Sequence, residues 1–215
     1  MGAASSTDNV ALTGNITAQT TTTVNTINMG ANNVTLSAAG QILSTNGLLS
    51  SGSTTATLGF AGTTAATTGV LQAKAAGDEI VIRVNGSNDK LTLNAIIQNV
   101  GAGVTASSLT KTGAGTLVLN DNSNNNTYTG NTFLNAGTVQ LGSANAGSGT
   151  RNWFGTGVLT IADGASITSI SDPAKTVANA VTLSGGYANL SSRDIFFQAK
   201  FRVRVAWLWL ARAGG

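Results

Sequence analysis

Eight side chains in this sequence could carry acid–base or metal chemistry: Asp8, Asp78, Glu79, Asp89, Asp121, Asp163, Asp172 and Asp194. Histidine and cysteine are both absent. Their absence removes the commonest general base, the usual nucleophile pairs and most transition-metal sites. Carboxylates alone can still hold calcium or divide acid and base roles in polysaccharide cleavage, and either task needs two or three of them together. The pair with matching surroundings is Asp121 and Asp163, each just beyond an apolar run, after Leu119 and Ile161. They are well separated along the chain, and the equivalent place between them holds Gly142 and Ser143. Aspartate also serves turns, by accepting local backbone hydrogen bonds. A turn role is the reading for both, and no residue is assigned a catalytic, cofactor-binding or metal-binding part.

The remaining candidates are weaker. Asp78-Glu79 reads as the solvated start of the strand IVIRV, with Arg83 pointing outward from it. Lys111 reads as a surface charge on an edge. Gly113-Ala114-Gly115 lacks the helix and the Gly-Lys-Ser/Thr ending of a phosphate loop. Tyr128, Phe133, Trp153 and Phe154 have the chemistry of a carbohydrate platform. Trp153-Phe154 lies in GSGTRNWFGTG, which reads as an exposed loop and makes this pair the candidate ligand contact. The Thr-rich residues 17–26 suggest an ice-binding array, but the Thr-rich pieces do not keep one register.

Short strands must position these residues. Asn33-Val34-Thr35-Leu36, Lys90-Leu91-Thr92-Leu93, Thr116-Leu117-Val118-Leu119, Thr138-Val139-Gln140-Leu141, Val158-Leu159-Thr160-Ile161 and Ala180-Val181-Thr182-Leu183 alternate or run apolar, and Gly, Asn or Asp bound most of them. Helical periodicity is nearly absent. Residues 91–100 fit a short helix less well than a strand, because they are rich in β-branched residues. Leu117, Val139, Leu159 and Val181 recur at a nearly constant step, with Leu119, Leu141, Ile161 and Leu183 keeping pace. A period of about 20 residues, with strands and turn residues in each copy, predicts a β-solenoid. The predicted fold is all-β, a right-handed parallel β-helix with coils of about 20–22 residues. Leu, Val and Ile then point inward and stack, and Thr points outward. Gly113, Gly115, Gly130, Gly137 and Gly142 fall where the chain is expected to turn. Residues 120–130 are too polar for a buried strand throughout and read as a turn or excursion, re-entering at Tyr128. Residues 50–70 read as loosely formed coil.

Composition agrees with a scaffold. Charged residues are 9% of the chain, against 27 glycines and a single proline. The net charge of +3 is unevenly placed. Residues 1–192 hold 6 Lys+Arg and 7 Asp+Glu, while residues 193–215 hold 5 Lys+Arg and 1 Asp. The body therefore has no basic stripe for phosphates, and nucleic acid is not an expected partner. The first residues show no basic n-region followed by an apolar stretch, and no run of about 18 apolar residues occurs. The chain reads as an internal piece of something longer.

Residues 109–142, LTKTGAGTLVLNDNSNNNTYTGNTFLNAGTVQLG, resemble the autotransporter-associated β-strand repeat, also called the passenger-associated transport repeat. The resemblance rests on Lys111, Gly113, Gly115 and Leu117 in the first half. Tyr128, Gly130, Gly137 and Leu141 carry it in the second. Residues 77–101 lead into the match, and GTGVLTIADGASITSI and TVANAVTLSGG follow it. The family implies large bacterial surface or secreted proteins with a right-handed parallel β-helix passenger, and often a C-terminal outer-membrane barrel. On that footing residues 1–192 are a solenoid passenger fragment. Residues 193–215 are an atypical basic and aromatic tail. It is open to three readings: an out-of-frame product, a cap with Phe201, Val203, Val205, Trp207 and Trp209 on one face, or a single barrel strand.

The expected function is a non-enzymatic structural or adhesive scaffold at the cell surface, without cofactors. Its expected partners are surface glycans or proteins and further copies of itself. It would meet a membrane only through a barrel domain that this chain does not contain. The alternative is a polysaccharide-binding or polysaccharide-degrading β-helix protein.

Overall fold

A computed structural model describes residues 1, 4–53, 55–60, 69–101, 105–120, 126–142, 150–169, 175–185, 189–190, 195–197 and 201–204. Asp121, Asp172, Asp194 and most of residues 193–215 lie outside them, as do residue 54 and residues 61–68 of the Thr-rich stretch. The described residues form 23 strands and no helix, and so no helix long and apolar enough to cross a membrane.

The strands fall into coils of up to three. The first coil is β1 (Asn9–Ala11), β2 (Ile16–Gln19) and β3 (Thr22–Thr23). The second is β4 (Thr26–Gly30), β5 (Val34–Leu36) and β6 (Ile42–Ser44). The third is β7 (Gly47–Ser50), β8 (Thr55–Gly59) and β9 (Gly69–Gln72). In the fourth, β10 (Glu79–Val84) is followed by one long strand, β11 (Lys90–Gln98), which rounds a corner and pairs with both β8 and β9. The fifth has β12 (Ser108–Thr112) and β13 (Thr116–Asn120), then residues 126–130 without strand structure. The sixth is β14 (Thr132–Leu134), β15 (Thr138–Gly142) and β16 (Thr150–Arg151). The seventh is β17 (Leu159–Ala162), β18 (Ser166–Ser169) and β19 (Lys175–Val177). The eighth is β20 (Val181–Ser184), β21 (Asn189–Leu190) and β22 (Ile195–Phe197), and β23 (Phe201–Arg204) begins a ninth.

Each strand pairs in parallel with its counterparts in neighbouring coils. The first sheet runs β1-β4-β7-β10-β12-β14-β17-β20-β23, and the second runs β2-β5-β8-β11-β13-β15-β18-β21. The third face is β3-β6-β9, joined to the second sheet through β11, and resumes as β16-β19-β22. This is a parallel β-helix, as the periodicity predicts. Residues 91–100 are strand as far as Gln98.

Alternation explains the core. In the second sheet Ala56, Leu91, Leu117, Val139 and Ile167 occupy one register position in successive coils, and Leu58, Leu93, Leu119 and Leu141 the next inward one. All of them are buried. No coil can cover such a face alone, and each supplies the apolar surface its neighbour needs.

Spacing misplaces one link. Leu117 does stack on Val139, and Leu159 on Val181, but the two pairs belong to different sheets. Val139 pairs onward with Ile167, and Leu159 pairs back with Thr132, so the column does not pass from Val139 to Leu159. Counting residues cannot tell one corner of a coil from another when each face spells the same short apolar word. Coil length varies for the same reason: the step from Asn9 to its partner Thr26 is short, and that from Gly47 to Val81 is far longer. The paired registers run without a break except between β2 and β5 and between β4 and β7, where each shifts once.

Candidate functional site

The first sheet's inner face has the column Ile27, Leu48, Ile82, Lys111, Leu134 and Ile161. A lysine thus occupies a place that its neighbours fill with aliphatic side chains. Lys111 is 0% exposed. The expectation of an edge charge is overturned, because Lys111 stands in register with the buried Ile82 and Leu134 on either side. Its Nζ donates to the carbonyls of Thr112 (3.0 Å), Gly113 (2.8 Å) and Ala136 (3.0 Å). An ammonium has three N–H donors, and all three are used. Two acceptors belong to the corner after β12, and the third to the equivalent corner one coil later. Burial, and secondarily the Arg83 guanidinium, lowers the amine from its ordinary 10.5 to about 8.

The carbonyls converge because the corners are tight. Gly113 and Gly137 have φ of +79° and +71°, a region costly for residues with a Cβ. A Cβ at Gly113 would lie 2.1 Å from the Val84 carbonyl oxygen, and one at Gly137 would lie 2.4 Å from that of Gly113. The motif glycines therefore serve two needs at once, the turn and the close stacking of coil on coil. Gly115 and Gly130 serve the second need, with added Cβ atoms 2.5 Å and 2.2 Å from carbonyls of the preceding coil. Gly142 departs from the expected turn role: it ends β15, paired with Asn120.

On the third face of the fifth coil the described residues 126–130 form no strand, and side chains make bonds between coils. Ile97 N–H donates to Asn126 Oδ1 (2.8 Å), and Thr127 N–H donates to the Ile97 carbonyl (2.8 Å). Asn126 then donates through Nδ2 to the Trp153 carbonyl (2.7 Å) and through its backbone N–H to the Asn152 carbonyl (3.2 Å). One asparagine so links the fourth, fifth and sixth coils. Tyr128 is 0% exposed, its hydroxyl paired with that of Thr132, which is also bonded to the Phe154 carbonyl. Thr132 points inward between Leu109 and Leu159, against the rule that threonines face out. Asn179 places its two Nδ2 N–H donors within reach of three carbonyls of the preceding coil, those of Phe154, Gly155 and Gly157.

The candidate ligand contact does not have the expected exposure. Trp153 and Phe154 are each 1% exposed and belong to the core. A loop-like sequence around the two rings conceals their place in the core. Leu117 and Leu141 stand in the stacked columns. Sequence reasoning took Thr132 only as a letter of the repeat and did not single out Asn179. Their signal is a polar residue at an inward place of a strand or corner, legible once the register is known.

Four of the described carboxylates accept structural hydrogen bonds. Asp8 accepts from Ser5 N–H, and Asp78 from Asn46 Nδ2. Asp89, 3% exposed, accepts from the N–H groups of Ser53 and Gly86. Glu79 accepts from the Thr110 hydroxyl. The proposed partner of Asp163, Asp121, lies outside the described residues, among which no group of three potential metal ligands occurs. A groove of about 410 Å³ lies on the first sheet, where Gly47 stands between Thr26 and Val81, with Leu49 and Asn28 beside it.

Residues 109–141 match the family model described as Passenger-associated-transport-repeat. Neither the curated proteins nor the solved structures yield a match to the chain. The matched segment begins in β12 and ends in β15, so it contains Lys111, both corner glycines, Asn126 and Tyr128. The fifth coil and the first two faces of the sixth are a passenger-associated transport repeat set within a longer parallel β-helix.

Proposed function

We propose that the chain is a non-enzymatic part of an autotransporter-type passenger, a stiff rod that acts as a structural and adhesive scaffold at the cell surface or after secretion. The repeat implies a passenger region, and with it a surface or secreted location in coarse terms. The observation that carries the scaffold reading is where the repeat directs its polar groups. Lys111, Asn126 and Tyr128 all bond inward, to corner carbonyls, strand amides or Thr132, and these bonds hold coils together. The partners that fit are surface glycans, surface proteins or further copies of the chain, met through outward corners and loops.

Two measurements test this reading. Antibody against the chain should label intact cells of the source bacterium as well as permeabilised ones; labelling confined to permeabilised cells contradicts a surface role. Purified protein incubated with acidic polysaccharide and calcium should release no new reducing ends. Release would establish a carbohydrate-active enzyme on the same scaffold.

A further inference from the structure

The outward side of the first sheet carries a column through Thr26, Gly47, Val81, Thr110, Phe133 and Thr160, one residue from each of the second to seventh coils. Two members break the line in opposite senses. Gly47 has no side chain, and the groove of about 410 Å³ opens over it, walled in part by Leu49 and Val81. Phe133, three coils further on, is the largest side chain of the column and is half-buried. A gap and a ring thus stand about 14 Å apart on one line. Sheets packed face to face lie roughly 10 Å apart, so a ring that crosses the midplane needs a recess opposite. A twofold axis along the strands, midway between Val81 and Thr110, sets each copy's Phe133 over the other's Gly47. The charges agree with that placing. Among the described residues of β4, β7, β10, β12, β14 and β17, the outward charges are Glu79 and Arg83. The same axis sets Glu79 opposite Ser108 and Arg83 opposite Thr112, so each charge meets a hydroxyl.

We propose that this face docks a second copy of the chain, as an antiparallel twofold dimer in which Phe133 of each copy fills the recess over Gly47 of the other. The proposal rests on the scaffold reading, since it takes one partner which that reading allows and gives it a surface. A second copy is the occupant because one face supplies both the ring and the gap, on one column, as a self-complementary interface requires. The face spans the second to seventh coils, about 29 Å by about 16 Å, so the pair covers roughly 900 Å² in total. A standard interface covers at least about 1,200 Å², and the association is accordingly weak and reversible.

Sedimentation equilibrium of the purified chain, up to millimolar concentration, should show monomer and dimer in exchange. Phe133→Ala and Gly47→Val should each raise the dissociation constant at least about tenfold while the β-sheet signal stays. A Cβ at Gly47 would meet a methyl of Thr26 at 3.0 Å, a side-chain atom that can turn aside, and the backbone there has no positive φ. Phe133→Ala removes only outward atoms and carries the test if the valine chain does not fold. The chain has no cysteine, so single introduced cysteines read the orientation. In the twofold dimer T26C of one copy faces T160C of the other, whereas like sites lie about 24 Å apart along the stack. A short bismaleimide should therefore couple T26C chains to T160C chains in a mixture and couple neither to itself. A chain monomeric at every concentration overturns the proposal, as does a dimer undiminished by Phe133→Ala, or T160C coupling to itself. The surface reading is separable. A monomeric chain that antibody still finds on intact cells overturns the interface alone, and a dimer labelled only in permeabilised cells overturns the surface role alone.

Discussion

Lys111 is the residue where the fold's chemistry departs most from its surroundings, and it makes the alkaline behaviour of the protein predictable. Its amine is lowered from 10.5 to about 8 by burial and by Arg83. The fold therefore carries the full cost of the buried charge below about pH 8. Between about pH 8 and 10.5 the unfolded chain holds the proton that the folded chain has released, so stability rises with pH. The gain is at most about 3 kcal/mol, reduced because a neutral amine has one donor fewer for three carbonyls. Tyr128 acts in the opposite sense. Burial outweighs its Thr132 hydrogen bond and raises its phenol above the ordinary 10, so stability falls again once the unfolded tyrosine ionises. Urea midpoints at pH 7.5 and 9.5 should show the native chain gaining on K111M. Parallel midpoints would place the amine outside the low-dielectric interior.

Glycines at this scale divide by what surrounds them. Gly113→Ala meets a positive φ and a carbonyl 2.1 Å away, while Gly164→Ala meets a positive φ alone, with nothing within 4 Å. The first should cost at least about 2 kcal/mol and the second about 1 kcal/mol, in chemical denaturation. Equal costs would mean that the corner relaxes to admit a side chain.

At the scale of elements, residues 126–130 show how side chains join coils where the described backbone forms no strand. Asn126 Oδ1 stands where a strand carbonyl would accept the Ile97 N–H. Asn126→Ala should leave that N–H and the Trp153 carbonyl unpaired, at a cost of roughly 2–4 kcal/mol. Hydrogen exchange gives the specific signature: the Ile97 amide should lose protection while the Leu91 amide in the same strand keeps it. Uniform loss along β11 would assign Asn126 no local part. The strands themselves were legible in the sequence, since alternation and bounding turn residues are local properties. So was the stacking of Leu117 on Val139, one coil apart. The assignment of Leu159 to that column was not, since the third face adds a corner that periodicity does not count. Lys111 and Trp153 were misread for a related reason. A charge suggests surface and a Gly-rich flank suggests loop, and only the register of the coil shows that both side chains point inward.

At the scale of the molecule, the coils form a continuous stack in which position along the sequence converts to height by coil number. Thr57, Thr92, Val118, Gln140 and Thr168 share one register column through successive coils. Thr57 and Thr168 are remote in sequence, yet four inter-strand steps put their backbones about 19 Å apart. Spin labels at these two positions, read by pulsed dipolar spectroscopy, measure that height directly. A single narrow distribution centred on that separation, widened only by the label linkers, is the predicted result. A broad distribution, or one centred beyond about 30 Å, would contradict the parallel stack and with it the scaffold built upon it.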